Sequence, residues 1–121
     1  MAEYLPIYKP GQALTLKASA TITAGQVLAV SGSGTVAPAG AASTAVVGVA
    51  AFDGVTNDNV TLYAGGVQNC TASGAITAGS PVIAGAAGTV VASAVPPGGQ
   101  QVGVALTTAA DTAKVRVQFG R

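Results

Sequence analysis

The chain has 121 residues and a mass of 11.5 kDa; half of its residues are hydrophobic, only 7% are charged, and the net charge is +1. Five basic residues, spread over both ends, provide no footprint for a nucleic-acid backbone. The chain has no histidine and one cysteine, which removes the common general base, imidazole or thiolate metal centres, and any intrachain disulfide. The composition predicts one small domain with no catalytic residues, no cofactor and no metal.

The charged residues are also unevenly placed. No ionisable Asp, Glu, Lys or Arg occurs in 18–52 or 59–110, yet Gly, Ser, Thr and Pro interrupt both stretches too often for a membrane span. The N-terminus lacks the basic start and apolar core of a secretory signal, so synthesis in the cytoplasm is expected. Because freely diffusing proteins usually carry charged surfaces, we expect partner chains to cover much of this one. A surface of uncharged polar residues is the alternative.

Residues 1–12 are predicted to form an extended arm. Pro6 and Pro10 remove backbone donors and bias the preceding residues towards extended backbone, which argues against a helix. The arm could fold back and close an edge of its own sheet, or it could reach a neighbouring chain and pair there. Its bulky apolar side chains should dock in either case, and they are Tyr4, Leu5, Ile7 and Tyr8.

The remaining residues, 13–121, are predicted to form a single β domain that contains an internal repeat. Ile22-Thr23-Ala24-Gly25 returns as Ile76-Thr77-Ala78-Gly79, about 54 residues later. Two copies are too few for a solenoid, which needs about three or more stacked repeats. Halves at about 20–63 and 74–119, rich in β-branched residues and glycine turns, predict an all-β sandwich or barrel built from two related units.

The turn signals divide the chain into short strands. Tyr63 to Val67 is interpreted as a hairpin turn that sends a strand through 66–71 and ends the first half. The repeated Val47-Gly48-Val49-Ala50 and Val102-Gly103-Val104-Ala105 are interpreted as matching strands. The full set of predicted strands is 13–17, 26–30, 34–37, 45–50, 59–63, 66–71, 81–84, 88–92, 100–105 and 113–119.

The polar loop that closes the first half is a secondary candidate for contact with a partner. Its candidate residues are Phe52, Asp53, Asn57 and Asp58. The carboxylates Asp53, Asp58 and Asp111 fall in equivalent loops of the two halves, but the alternating ligands and closing glutamate of a calcium loop are missing. Turn formation through Asx hydrogen bonds is therefore predicted for them. The unpaired Cys70 is predicted to pack in the core.

The order of these parts is similar to that of a known family. The opening Tyr4-Leu5-Pro6-Ile7-Tyr8-Lys9-Pro10-Gly11, the twofold Ile-Thr-Ala-Gly and the Val-Gly-Val-Ala segments resemble the capsid decoration, or cement, proteins of tailed bacteriophages. The resemblance covers nearly the whole chain. It is greatest to the proteins found in phages of actinobacteria.

The resemblance implies a structural role in the virion. Proteins of this kind bind the outer surface of an expanded icosahedral head, commonly as homotrimers at threefold or quasi-threefold positions, and clamp neighbouring major capsid subunits. No nucleic acid and no membrane is implied as a partner. Because the arm of such proteins often contacts the capsid, the resemblance implies capsid contacts at Tyr4, Leu5, Pro6, Ile7, Tyr8 and Lys9.

Two other classes of function remain open from the residues. A carbohydrate- or receptor-binding module of a phage fibre or bacterial surface would need aromatic side chains on its loops, and Phe52 and Tyr63 are the internal candidates. A small-molecule-binding or enzymatic β domain would need clustered polar groups around a pocket. The sequence shows no such cluster.

Overall fold

The computed structural model describes residues 13–120 and confirms the all-β prediction. Alternating β-branched and small residues form strands between glycine- and proline-rich turns. The predicted arm and Arg121 lie outside the described residues. The elements are β1 (Ala13–Ala18), β2 (Val27–Gly32), β3 (Thr35–Pro38), β4 (Val46–Ala50), β5 (Asn59–Tyr63), β6 (Gly66–Thr71), β7 (Pro81–Ala84), a 3-10 turn (Ala86–Gly88), β8 (Val90–Ala92), β9 (Gln101–Ala105) and β10 (Lys114–Phe119).

The strands form two related five-stranded units. The first is a closed barrel in the order β1-β3-β2-β4-β5, where β1 runs parallel to β3 and antiparallel to β5. The second is a sheet in the order β6-β10-β9-β7-β8, and the parallel bridge from Ala72 to Val90 repeats the contact between Ala18 and Val36 in the first unit. Because this bridge joins β8 to the residue after β6 and so brings the two ends of the sheet together, we call these units the first barrel and the second barrel.

The interpretation of Tyr63 to Val67 as a hairpin is wrong. β5 pairs with β1 and β4, whereas β6 pairs with β10, so the residues between β5 and β6 link one barrel to the other. β6 therefore begins the second half instead of ending the first. Gly65 and Gly66 adopt φ of +66° and +69°, a backbone that suits a hairpin turn as well as this linker. Local turn chemistry cannot show which strand the chain will pair with next.

The repeated Ile-Thr-Ala-Gly motif forms the same turn in both barrels. Gly25 and Gly79 have φ of +86° and +89°, a left-handed backbone that other residues adopt at a cost. The amide of Gly25 donates to the carbonyl of Ala50 at 2.9 Å, and that of Gly79 donates to Ala105 at 2.8 Å. The motif thus ties the start of β2 or β7 to the end of β4 or β9.

The repeated Val-Gly-Val segment has a steric cause. A Cβ atom on Gly48 would overlap the carbonyl oxygen of Tyr63, and one on Gly103 would overlap the carbonyl oxygen of Gln118. Neither glycine has a positive φ, so the requirement at these positions is close approach of two strands rather than an unusual backbone. The motif marks where β4 crosses β5 and where β9 crosses β10.

The core divides into two clusters of different size. The interior of the first barrel holds one cluster, with Leu28, Val36 and Leu62 completely buried. The second cluster fills the second barrel and also includes Val27 and Val49 of the first. The barrels therefore pack on each other through apolar side chains that point out of the first barrel. None of the segments in 13–120 forms a helix that could span a bilayer.

Candidate functional site

The predicted capsid contacts of the arm, Tyr4 to Lys9, lie outside the described residues. The structure does show where the arm joins the barrel. Ala13, the first residue of β1, lies opposite Tyr63 at the end of β5. Because Tyr63 is 45% exposed, β1 begins beside an accessible aromatic ring.

The loop 51–58 projects two apolar side chains from the first barrel. Phe52 is 63% exposed and Val55 is 57% exposed, and both lie on the loop between β4 and β5. A surface depression of about 380 Å³ lies between this loop and the Ile-Thr-Ala-Gly turn. Exposed aromatic and aliphatic groups beside a depression are typical of a surface that another protein covers.

The polar residues predicted with Phe52 shape this loop. Asp53 Oδ1 accepts a hydrogen bond from the amide of Ala24 at 2.8 Å, and Asp58 Oδ2 accepts one from the amide of Val55 at 3.0 Å. Asn57 adopts φ of +76°, which asparagine tolerates better than most residues. The loop is therefore held by side-chain hydrogen bonds to backbone amides, but these are not the predicted Asx bonds. Asp53 binds an amide outside the loop, and Asp58 binds the amide three residues before it instead of one two residues after it.

The equivalent loop of the second barrel repeats one of these contacts with a different side chain and makes another between different residues. Asp111 Oδ1 accepts a hydrogen bond from the amide of Gly74 at 2.7 Å, and Thr108 Oγ1 accepts one from Ala78 at 3.1 Å, where Asp53 binds Ala24 in the first barrel. Within the described part of the chain, no group of three or more His, Cys, Asp or Glu residues is placed to hold a metal ion. The carboxylates of Asp53, Asp58 and Asp111 accept hydrogen bonds from backbone amides.

The thiol of Cys70 is buried, as the sequence predicts. Burial raises the pKa of this thiol from 9.0 to about 12, and the nearby Lys114 ammonium opposes that increase. The thiol is therefore protonated and enclosed at neutral pH, which makes it unreactive as a nucleophile.

A pH series should detect this buried thiol. In the unfolded chain the thiol loses its proton above about pH 9, whereas the pKa in the folded protein is about 12. The unfolded state then binds fewer protons, so the free energy of unfolding should fall as pH rises above 9, by about 1 kcal/mol per pH unit. Denaturant unfolding of the wild type and of Cys70→Ala in parallel checks this. Equal alkaline slopes for the two proteins would contradict it.

Sequence reasoning missed several exposed apolar side chains on the strands and loops. For Val67, strand alternation could have indicated exposure, because Val67 lies on the same face of β6 as the polar Asn69 and opposite Gln118. No comparable signal marks Val95, which is 87% exposed on the loop before β9. Together with Phe52, Val55 and Tyr63, the exposed large apolar residues are Val30, Val67, Val95, Val104 and Leu106.

A polar cleft of about 260 Å³ lies where the two barrels meet. Lys114 Nζ donates to Thr71 Oγ1 at 2.9 Å on one side, and Gln26 Nε2 donates to the carbonyl of Ala87 at 3.1 Å on the other. Lys114 and Arg116 are both exposed on the outer face of β10. These groups can bind polar atoms of a partner, and they hold no pair of acid and base groups for catalysis.

Taken together, these features describe a duplicated β barrel that exposes several large apolar side chains. The chain belongs to the phage cement protein family, which it matches over residues 8–119. It is therefore a structural protein of the phage head and a component of the virion. The resemblance inferred from the sequence is confirmed, while the greater similarity to proteins of actinobacterial phages stays a prediction.

A solved structure shares the fold. The chain is similar to the head fiber gp8.5 N base in bacteriophage phi29, with a TM-score of 0.72 and 21% sequence identity over 90% of this chain and 93% of that one. At this level of identity the likeness concerns the fold alone. No curated relative matches the sequence.

Proposed function

We propose that this protein binds the outer surface of the expanded phage head and stabilises contacts between neighbouring major capsid subunits. The observation that carries the proposal is the match to the phage cement protein family over residues 8–119. A protein that binds only the assembled lattice stabilises that lattice by mass action and needs no reactive group. The exposed Phe52 and Val55, beside the surface depression, support a role in adhesion.

The contacts with the capsid are proposed at two places. The arm residues from Tyr4 to Lys9 supply the first, because they are largely apolar and precede Ala13 in the sequence, which lies opposite the exposed Tyr63. The loop with Phe52, Asp53, Asn57 and Asp58 supplies the second, because its conformation is fixed before binding and little entropy is lost there. A homotrimer at threefold or quasi-threefold positions would combine several such contacts, and their joint strength would exceed that of any single one.

Adding the purified protein to expanded heads that lack it tests this function. We expect saturable binding at the outer surface, density at threefold or quasi-threefold positions in images of the heads, and release of DNA at a higher temperature than from bare heads. Unexpanded heads serve as the control and should bind less protein, because the lattice contacts differ. Saturation without any change in the heat resistance of the heads would contradict the stabilising role.

The geometry favours this function over carbohydrate binding. Tyr63 pairs with Val49, and Phe52 follows Val49 by three residues. Phe52 therefore lies on the loop after β4, whereas Tyr63 is the last residue of β5, so Phe52 is the single exposed aromatic side chain on a loop of residues 13–120. A carbohydrate-binding module would need several aromatic side chains on its loops.

A further inference from the structure

The polar cleft between the two barrels has one wall from each of them. The first barrel supplies its Ile-Thr-Ala-Gly turn and Gln26, and the second supplies Thr71, Lys114 and the 3-10 turn. The volume of about 260 Å³ admits a single acidic side chain or a small organic ion. The cleft is therefore a possible binding site that both barrels form together.

The walls of the cleft are held at a fixed spacing by hydrogen bonds. Gln26 Oε1 accepts from the amide of Thr23 at 2.8 Å, and Gln26 Nε2 donates to the carbonyl of Ala87 in the other barrel at 3.1 Å. The amide of Gly88 donates to the carbonyl of Ala39 across the same junction at 2.9 Å. Because these bonds form without a ligand, little conformational freedom is lost when one binds.

Lys114 gives the cleft a positive charge and unused donors. Its Nζ donates to Thr71 Oγ1 at 2.9 Å, which occupies one of the three donors of an ammonium group. The Thr71 hydroxyl accepts that bond and still has its own hydrogen to donate. Within residues 13–120 no Asp or Glu lines the cleft, and the carboxylate next to Lys114 in sequence, that of Asp111, binds the amide of Gly74 instead.

The first barrel comes close to this ammonium group at the glycine of its repeated motif. A Cβ atom on Gly25 would lie 3.8 Å from Lys114 Nζ and 3.7 Å from the carbonyl oxygen of Asn69. The glycine thus keeps the space beside the ammonium group clear of a side chain. A ligand held by Lys114 would therefore also contact the turn of the first barrel.

The first barrel has a lysine in the equivalent pair of strand residues, but outside such a cleft. Counted from the equivalent parallel bridges of the two barrels, Lys17 corresponds to Thr71. Lys17 pairs with Asn59, and Thr71 pairs with Lys114, so each barrel has one lysine in this cross-strand pair. Lys17 is exposed and lines neither the cleft nor the depression beside Phe52. The chain therefore contains its own control for a lysine that the other barrel does not flank.

We propose that the cleft binds a carboxylate group, with Lys114 Nζ and the Thr71 hydroxyl as its donors. A carboxylate accepts hydrogen bonds and carries a single charge, so it matches one ammonium group and a neighbouring hydroxyl. Hydrogen bonds between two charged groups are stronger than those between neutral ones. Two sources have this chemistry, an acidic side chain of a partner protein and a small free carboxylate. The proposal concerns the free protein and does not depend on capsid binding.

NMR titrations of the full chain test the site with one probe for each source. The first probe is sodium acetate, which replaces sodium chloride at constant ionic strength because Lys114 is exposed and salt screens its charge. The second is the tripeptide Gly-Glu-Gly, blocked at both ends, with Gly-Gln-Gly as its uncharged control. We expect saturable shifts of the Lys114 Cε signal and of the Thr71 and Gly25 amides, while the Lys17 Cε signal moves little. Tighter binding of the glutamate peptide than of acetate assigns the site to acidic side chains, and the reverse assigns it to free carboxylates.

Two single substitutions separate the cleft from the general charge of the protein. Lys114→Gln should weaken binding of the tighter probe roughly tenfold or more, because a hydrogen bond to a charged group is lost. Lys17→Gln removes the same charge from the equivalent pair and should leave binding unchanged. Amide spectra of both variants check that the barrels stay folded. The proposal is overturned if neither probe gives saturable shifts, if Gly-Gln-Gly binds as well as Gly-Glu-Gly, or if the two substitutions weaken binding equally.

Discussion

Replacing Gly103 with alanine is expected to lower the free energy of unfolding by about 3 kcal/mol, which corresponds to a fall of roughly 15 °C in Tm. The added Cβ would overlap the carbonyl oxygen of Gln118 and would also lie 3.0 Å from Val117 Cγ1. The first obstacle is backbone, so no side-chain rotation can relieve it. β9 and β10 would have to separate where Val117 packs in the core.

Gly98→Ala is the matched control for this substitution. No atom lies within 4 Å of the place that a Cβ on Gly98 would occupy, and Gly98 does not have a positive φ, so alanine should fit without strain. Its effect should lie within about 0.5 kcal/mol of zero, or be slightly stabilising because alanine restricts the unfolded chain. Thermal and urea unfolding of both variants measure the difference. A Gly103→Ala protein as stable as Gly98→Ala would show that the two strands do not approach as closely as the structure indicates.

Much of the fold could be predicted because the sequence contains an internal repeat, so each local structure has two independent sequence signals. Gly25 and Gly79 recur with the same neighbours, so one turn could be inferred from either copy. The valine and glycine alternation predicted β9 and β10 to within a residue or two. Strand pairing was harder to predict from the sequence. The backbone at Gly65 is compatible with pairing of β6 with either β5 or β10, and the structure shows that β6 pairs with β10.

The surface was harder to predict than the core for a physical reason. Val30 and Ala84 are equivalent in the repeat, and a sequence pattern assigns them the same environment. One is exposed and the other buried only because the first barrel covers the second, whereas nothing within 13–120 covers the first in the same way. Burial of this kind depends on how complete units pack, which neither hydrophobic periodicity nor turn residues encode.

Removal of residues 1–9 is expected to weaken binding to expanded heads by two orders of magnitude or more, roughly 3 kcal/mol for each copy. The arm holds Tyr4, Leu5, Ile7 and Tyr8, whose burial in a capsid groove would account for a loss of this size at about 25 cal/mol per Å² of apolar surface. Titration of labelled protein onto heads gives the dissociation constant. The barrel should remain folded, because the strands and clusters described above lie within 13–120.

Two substitution variants distinguish apolar contacts from the mere length of the arm. Changing Tyr4, Leu5, Ile7 and Tyr8 together to alanine keeps the length of the arm and both prolines, so it should reproduce most of the loss. Lys9→Ala should have a small effect, because a charge at the rim of a contact made by apolar groups contributes little. If the quadruple variant occupies heads as fully as the wild type while the unfolding transition is unchanged, the arm does not carry the contact. The loop with Phe52 would then be the place to seek it, since that loop presents the most exposed aromatic ring in the described residues.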